Sequence, residues 1–171
     1  MSASADVAIL MGSKNDWDVM KHAAETLDEL GVSYEARVLS AHRTPTETAD
    51  YVRQAEADGT QVFIAGAGMA AHLAGAVAAQ TTRPVLGVPL ASSELKGLDA
   101  LLATVQMPPG VPVATLAIGK AGAVNAALLA AEILALQRPD LRKALLERRK
   151  KDGGKILSEP SVAAGLRPGR K

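Results

Sequence analysis

Short runs rich in apolar and β-branched residues alternate along this chain with longer stretches in which apolar residues recur every three or four positions. The short runs are VAILMG (7–12), SYEARVLS (33–40), QVFIAGAG (61–68), PVLGVPL (84–90) and VPVATLAIG (111–119), and they read as strands. Helical spacing predicts helices over 16–31, 44–59, 69–81, 97–107 and 120–136, with a last one starting at Pro139. Gly31 reads as the stop of the first helix. Thr44, Pro45 and Glu47 read as N-cap, first helical residue and closing member of a capping box for the second.

Five strands alternating with helices imply an α/β fold, a three-layer α/β/α sandwich around a central parallel five-stranded sheet. In such sheets ligands sit outside the carboxyl ends of the strands. Residues 1–171 are expected to form one catalytic domain, with its core over about 7–150 and residues 152–171 as a loosely held tail. The Gly and Pro content of that tail argues against internal structure and leaves a partner subunit as a surface for it to lie on. From Ala123 to Leu136 only Asn125 and Glu132 are polar, and seven positions apart they share one stripe. A helix apolar over the rest of its circumference needs cover that the outer layer of one domain cannot supply alone, so it is expected to pack against another subunit as well; the alternative is cover by the last helix.

Composition narrows the function. The 171 residues carry 19 Lys and Arg against 18 Asp and Glu, so no electrostatic footprint for nucleic acid stands out. The basic run RKALLERRKK (142–151) reads as a solvated helix face. With one Trp, two Tyr and one Phe, base-stacking recognition is poorly supplied. There are no cysteines, which excludes disulfides, thiolate catalysis and Cys-ligated zinc. No apolar run reaches the roughly 18 residues of a membrane span, and MSASADVAIL lacks a basic segment ahead of a long apolar one. The expectation is a cytoplasmic enzyme with no nucleic-acid or membrane partner.

Three strand ends carry unusual loops. GSKND (12–16) offers two readings: backbone N–H groups and the Ser13 hydroxyl at a helix start favour an anion, while Ser13, Asn15 and Asp16 also suit ordinary capping. A carboxylate there can also accept a pair of ribose hydroxyls. SAHRTP (40–45) puts a hydroxyl, an imidazole and a guanidinium together before a helix. Arg43 can hold a phosphate by two hydrogen bonds, and His42 can give and take a proton near neutrality. GAGMAAHLAG (66–75) exposes backbone at Gly66 and Gly68 and sets His72 near the next helix start, as a site residue or a satisfied core residue. The partial dinucleotide fingerprint at 66–71 follows the third strand and lacks an acidic ribose partner, so it points to no dinucleotide. His22, on a face with Asp18, Glu25 and Glu29, is expected to be exposed and without a role.

MGSKND, SAHRTP, GAGMAAHLAG and LAIGKAGAVNAA, in that order, resemble the N5-carboxyaminoimidazole ribonucleotide mutases of bacterial purine synthesis, the PurE family, from about Val7 to Leu136. The related carboxylases of animals have a lysine-containing version of the histidine loop and lack the glycine–histidine loop, so Arg43 and His72 point to the mutase branch. The resemblance implies a flavodoxin-like fold, a homo-octamer, and no metal, biotin or nucleotide cofactor. It implies a ribonucleotide substrate and transient carbon dioxide as the only small-molecule partners. Carried across by motif, His42 is the general acid–base, Ser13 and Asp16 bind phosphate and ribose, and Arg43 binds the phosphate. Ser40, Ala67, Gly68, His72 and Leu73 line the pocket. Met69 stands where the family commonly has glycine, and Asn15 where it commonly has serine. The rivals are an ATP-independent aminoimidazole ribonucleotide carboxylase using free carbon dioxide, and a nucleotide-binding module without catalysis.

Overall fold

The computed structural model describes residues 5–158. Five parallel strands form one sheet: β1 (Val7–Met11), β2 (Tyr34–Val38), β3 (Val62–Gly68), β4 (Val85–Leu90) and β5 (Ala114–Thr115). Their order is β2-β1-β3-β4-β5, the flavodoxin-like arrangement, whose strand order reverses between β1 and β3. The helices are α1 (Trp17–Glu29), α2 (Pro45–Asp58), α3 (Leu73–Ala78), α4 (Leu98–Val105), α5 (Lys120–Ala135) and α6 (Pro139–Ser158).

The central strands are buried on both faces, and their side chains alternate between two cores. Val7, Ile9 and Met11 of β1 and Val62 and Ile64 of β3 pack with Met20, Ala23 and Leu27 of α1 and the alanines of α5. Ala8, Leu10, Phe63 and Ala65 face the other way, onto Val52 of α2 and Leu73, Ala74 and Val77 of α3. Each fully buried side chain of this size is worth about 1.5–3 kcal/mol. The register sets Met11 opposite both Val38 and Gly66. The loops after β1, β2 and β3 therefore leave the sheet side by side at its carboxyl edge.

The structure corrects several sequence expectations. Thr44 makes no capping hydrogen bond to α2, because its hydroxyl turns back to Ser40, accepting from the Ser40 N–H (2.9 Å) and donating to the Ser40 carbonyl (3.1 Å). A reciprocal cap forms instead at Ser13 and Asp16, around a single 3-10 turn (Lys14–Asp16) ahead of α1. β5 shrinks to two residues paired with Leu86 and Gly87. It is an edge strand whose neighbours include Pro112, and proline cannot donate to the ladder. α3 is shorter than the predicted 69–81, because the chain turns through Met69–Ala71 first. α6 continues through Gly153 and Gly154 to Ser158, so the expected loose tail begins as helix, and its remainder lies outside the described residues. His22 is half-buried, with Nδ1 2.7 Å from Glu25 Oε2.

α5 finds most of its cover within the chain. Ala123, Ala126, Ala127, Ala130, Ala131 and Leu134 are buried within the chain, against the sheet, α1 and α6. The small side chains let the helix lie close to the sheet, and α6 covers its outer side. Uncovered apolar side chains remain at Leu136, just past α5, at Leu146 on the outside of α6, and in a stripe of Leu95, Leu98, Leu102 and Val105, in and just before α4, each about half exposed or more.

Candidate functional site

After β1 the chain passes Gly12 into the capped turn. Ser13 Oγ accepts from the Asn15 N–H at 3.3 Å, and Asp16 Oδ2 accepts from the Ser13 N–H at 2.9 Å. The Ser13 hydroxyl keeps its own proton to donate. Burial pushes the Asp16 carboxyl above its ordinary range, against the opposing pull of the Ser13 N–H and the charge of Arg43. Both the capping and the ligand reading of this loop are thus compatible with one geometry: the cap fixes the residues that face the cleft.

After β2, Ser40 to Thr44 close a turn locked by Thr44 and by buried Thr48, whose hydroxyl donates to the Thr44 carbonyl at 2.7 Å. Arg43 lies across this loop and the first one. Its Nη2 donates to the Gly12 carbonyl at 2.6 Å, and its N–H and Nε donate to Ser40 Oγ at 3.2 and 3.4 Å. These bonds hold the guanidinium by dipoles and leave its positive charge in the cleft, where Asp16 feels it.

β3 ends at Gly68, and only a glycine fits there: a Cβ would stand 1.7 Å from Ser92 Oγ and 3.1 Å from the Leu90 carbonyl. Met69 then takes the left-handed backbone region, φ +55°. That conformation costs a residue with a Cβ about 1–2 kcal/mol. The Ala71 N–H reaches back to the Met69 carbonyl (2.9 Å) and the His72 N–H to the Ala70 carbonyl (2.8 Å). This tight reversal brings His72 to the start of α3, facing the second loop. His42 Nε2 and His72 Nδ1 are 2.9 Å apart, with ring centroids at 5.0 Å and planes at 79°. One of those nitrogens carries a proton and the other accepts it, so at least one ring presents an unprotonated nitrogen.

The loops enclose an open cleft of about 430 Å³, within the usual range of small-molecule sites. Ser13, Asp16, Ser40, His42, Arg43, Ala67, Gly68, His72 and Leu73 all line it. Gly12, Ala41, Met69, Ala70 and Ser92 line it too and were not among the residues expected to. Ser92 lies two residues past the end of β4, and a polar residue at that sheet edge was the signal available for it. His42, Arg43, Met69 and His72 are exposed in the single chain, so the cleft is not sealed. Among the described residues no group of three or more His, Asp or Glu side chains is placed to hold a metal ion. A hollow of about 480 Å³ between α5 and α6, lined by Glu132, Leu136, Leu145 and Arg149 among others, draws nothing from these strand ends.

Comparison with known proteins identifies the family and the fold. The family model of AIR carboxylase matches residues 6–154. The N5-carboxyaminoimidazole ribonucleotide mutase of Brucella melitensis is 56% identical over 161 residues, covering 94% of this chain and 99% of that protein. The mutase of the same name from Bacillus subtilis is 57% identical over 151 residues, covering 88% and 93%. The crystal structure of Treponema denticola PurE superposes with a TM-score of 0.82 at 28% identity, covering 95% of this chain and 98% of that one.

Proposed function

Since the chain belongs to the AIR carboxylase family, we propose that it is an N5-carboxyaminoimidazole ribonucleotide mutase of purine biosynthesis, a single catalytic domain that moves a carboxylate from the exocyclic nitrogen of the aminoimidazole to ring carbon 4. The chemistry suits the cleft. A protonated His42 donates its proton to the exocyclic nitrogen as the C–N bond breaks. The bonding pair stays on nitrogen, leaving an uncharged aminoimidazole ring on its ribose phosphate, and carbon dioxide. Carbon 4 then attacks carbon dioxide, a C–C bond forms, and the carbon 4 proton returns to His42. Atoms and charge balance, and one imidazole serves both proton transfers because the reaction is an isomerisation.

His72, 2.9 Å from His42, orients that ring. Arg43 takes the phosphate through the N–H edge not used on Gly12 and Ser40. Ser13 donates to the same phosphate, and Asp16 accepts from the ribose hydroxyls. The sugar phosphate thereby contributes remote binding energy that holds the ring in line. Ala67, Gly68 and Leu73 form the small apolar floor that suits uncharged carbon dioxide, with the Ser40 hydroxyl at its edge.

Assembly belongs to the same reading. A homo-octamer is supported by the half-exposed apolar stripe on α4, which a single chain leaves against water. The substrate carries a phosphate and does not cross membranes freely, which supports a cytoplasmic location. The observation that carries the proposal is the meeting of His42, His72 and Arg43 in one cleft at the carboxyl edge of the sheet. It is tested by mixing the purified protein with either carboxylated isomer in the absence of ATP. Interconversion in both directions is expected. Product formed only from aminoimidazole ribonucleotide and dissolved carbon dioxide would make the protein a carboxylase, and binding without turnover would make it a nucleotide-binding module.

A further inference from the structure

Among the described residues only Met69 and Lys96 hold a left-handed backbone without being glycine. Lys96 sits in a turn closed by its own N–H to the Ser93 carbonyl, away from the cleft. Met69 lines the cleft, and it is 60% exposed and belongs to neither of the two cores. The turn itself needs only the backbone: the two N–H bonds that bring His72 round to His42 run from main chain to main chain. The chain therefore keeps an apolar, flexible side chain where the backbone favours none, at the open lip of a cleft whose floor is Gly68, Ala67 and Leu73.

The geometry points to Met69 as the residue that retains carbon dioxide: its thioether chain folds over the bound aminoimidazole and closes the apolar floor against water while the free gas molecule exists. This rests on the mutase reading and deepens it. The uncharged intermediate makes no ion pair and accepts only weak hydrogen bonds, so nothing polar in the cleft tethers it. Shape and exclusion of water must hold it. An unbranched side chain with three rotatable bonds can cover an irregular ligand and withdraw to release product. Glycine at 69 would keep the turn and remove the cover.

The test follows isotope. Wild type, Met69→Gly and Met69→Leu each convert unlabelled N5-carboxyaminoimidazole ribonucleotide in buffer containing ¹³C-bicarbonate and carbonic anhydrase, and product is scored at low conversion for ¹³C at the new carboxylate. Wild type should retain the original carbon. Met69→Gly should melt no lower than wild type and should incorporate several times more label from the medium. Met69→Leu, with apolar bulk restored, should stay within about twofold of wild type. Equal label in wild type and Met69→Gly overturns the proposal, as does Met69→Leu leaking as much as the glycine variant. Failure of the mutase reading looks different: wild type itself then makes only product carrying the full label of the medium, or makes none.

Discussion

The rings of His42 and His72 come from loops thirty residues apart, meet nearly perpendicular, and bring His42 Nε2 within 2.9 Å of His72 Nδ1. The contact exists because the parallel register sets the ends of β2 and β3 on either side of β1. It also exists because Met69 turns the chain back toward the second loop. A hydrogen bond between the two rings fixes the orientation of each.

His42→Asn should therefore cut turnover by at least about a hundredfold, the usual size of a positioned acid–base contribution, while ribonucleotide affinity stays near that of wild type. Isothermal titration with the substrate ribonucleotide, alongside an ATP-free interconversion assay, separates the two effects. Turnover within a few fold of wild type would remove His42 from its role.

His72→Ala should lower kcat by about tenfold, the worth of one good hydrogen bond, with KM changed much less. A glutamine at 72 can still hydrogen-bond to His42 but cannot pass a proton. If His72 only positions the ring, His72→Gln should recover most of the lost kcat.

Arg43→Gln should raise KM about 10- to 100-fold, as expected for losing a charge-assisted contact to phosphate. A substrate lacking the phosphate should bind both proteins about equally. The same variant loses the Nη2 bond to the Gly12 carbonyl, so the first loop should also exchange its amide hydrogens faster.

Asp6 and Arg138 join the start of β1 to the start of α6. Both guanidinium nitrogens Nη1 and Nη2 donate to the Asp6 carboxylate, and these hydrogen bonds to Arg138 hold its pKa below the ordinary value despite partial burial. A lowered folded-state value means the stabilisation is full above the unfolded-state pKa and is lost as pH falls through the folded one. Arg138→Gln should thus destabilise the protein by about 1 kcal/mol at neutral pH, the upper range for a half-exposed pair. The gap between variant and wild type in urea midpoints should shrink as pH drops below about 4.

Leu98→Glu combined with Leu102→Glu places two charges on the α4 stripe, at positions each about half exposed in the single chain. Sedimentation velocity should then show a species smaller than the wild-type assembly. An unchanged sedimentation coefficient would mean that α4 is not the assembling face.

The chain's own pattern of apolar runs and helical spacing determined the layer architecture, the parallel sheet and the strand ends at which chemistry gathers. Those features follow from short continuous apolar runs, from the 3.6 period of the helices and from loop composition, which are local properties. The tertiary structure alone decided which loop residues touch. It turned the Thr44 hydroxyl to Ser40 instead of α2 and put the reciprocal cap at Ser13 and Asp16. It covered most of α5 with α6 and left one apolar stripe of α4 exposed. It also brought Ser92 against Gly68 at the end of the neighbouring strand. Each of these depends on contacts between segments far apart in sequence, where hydrogen-bond and packing partners compete, and no local pattern ranks those competitors.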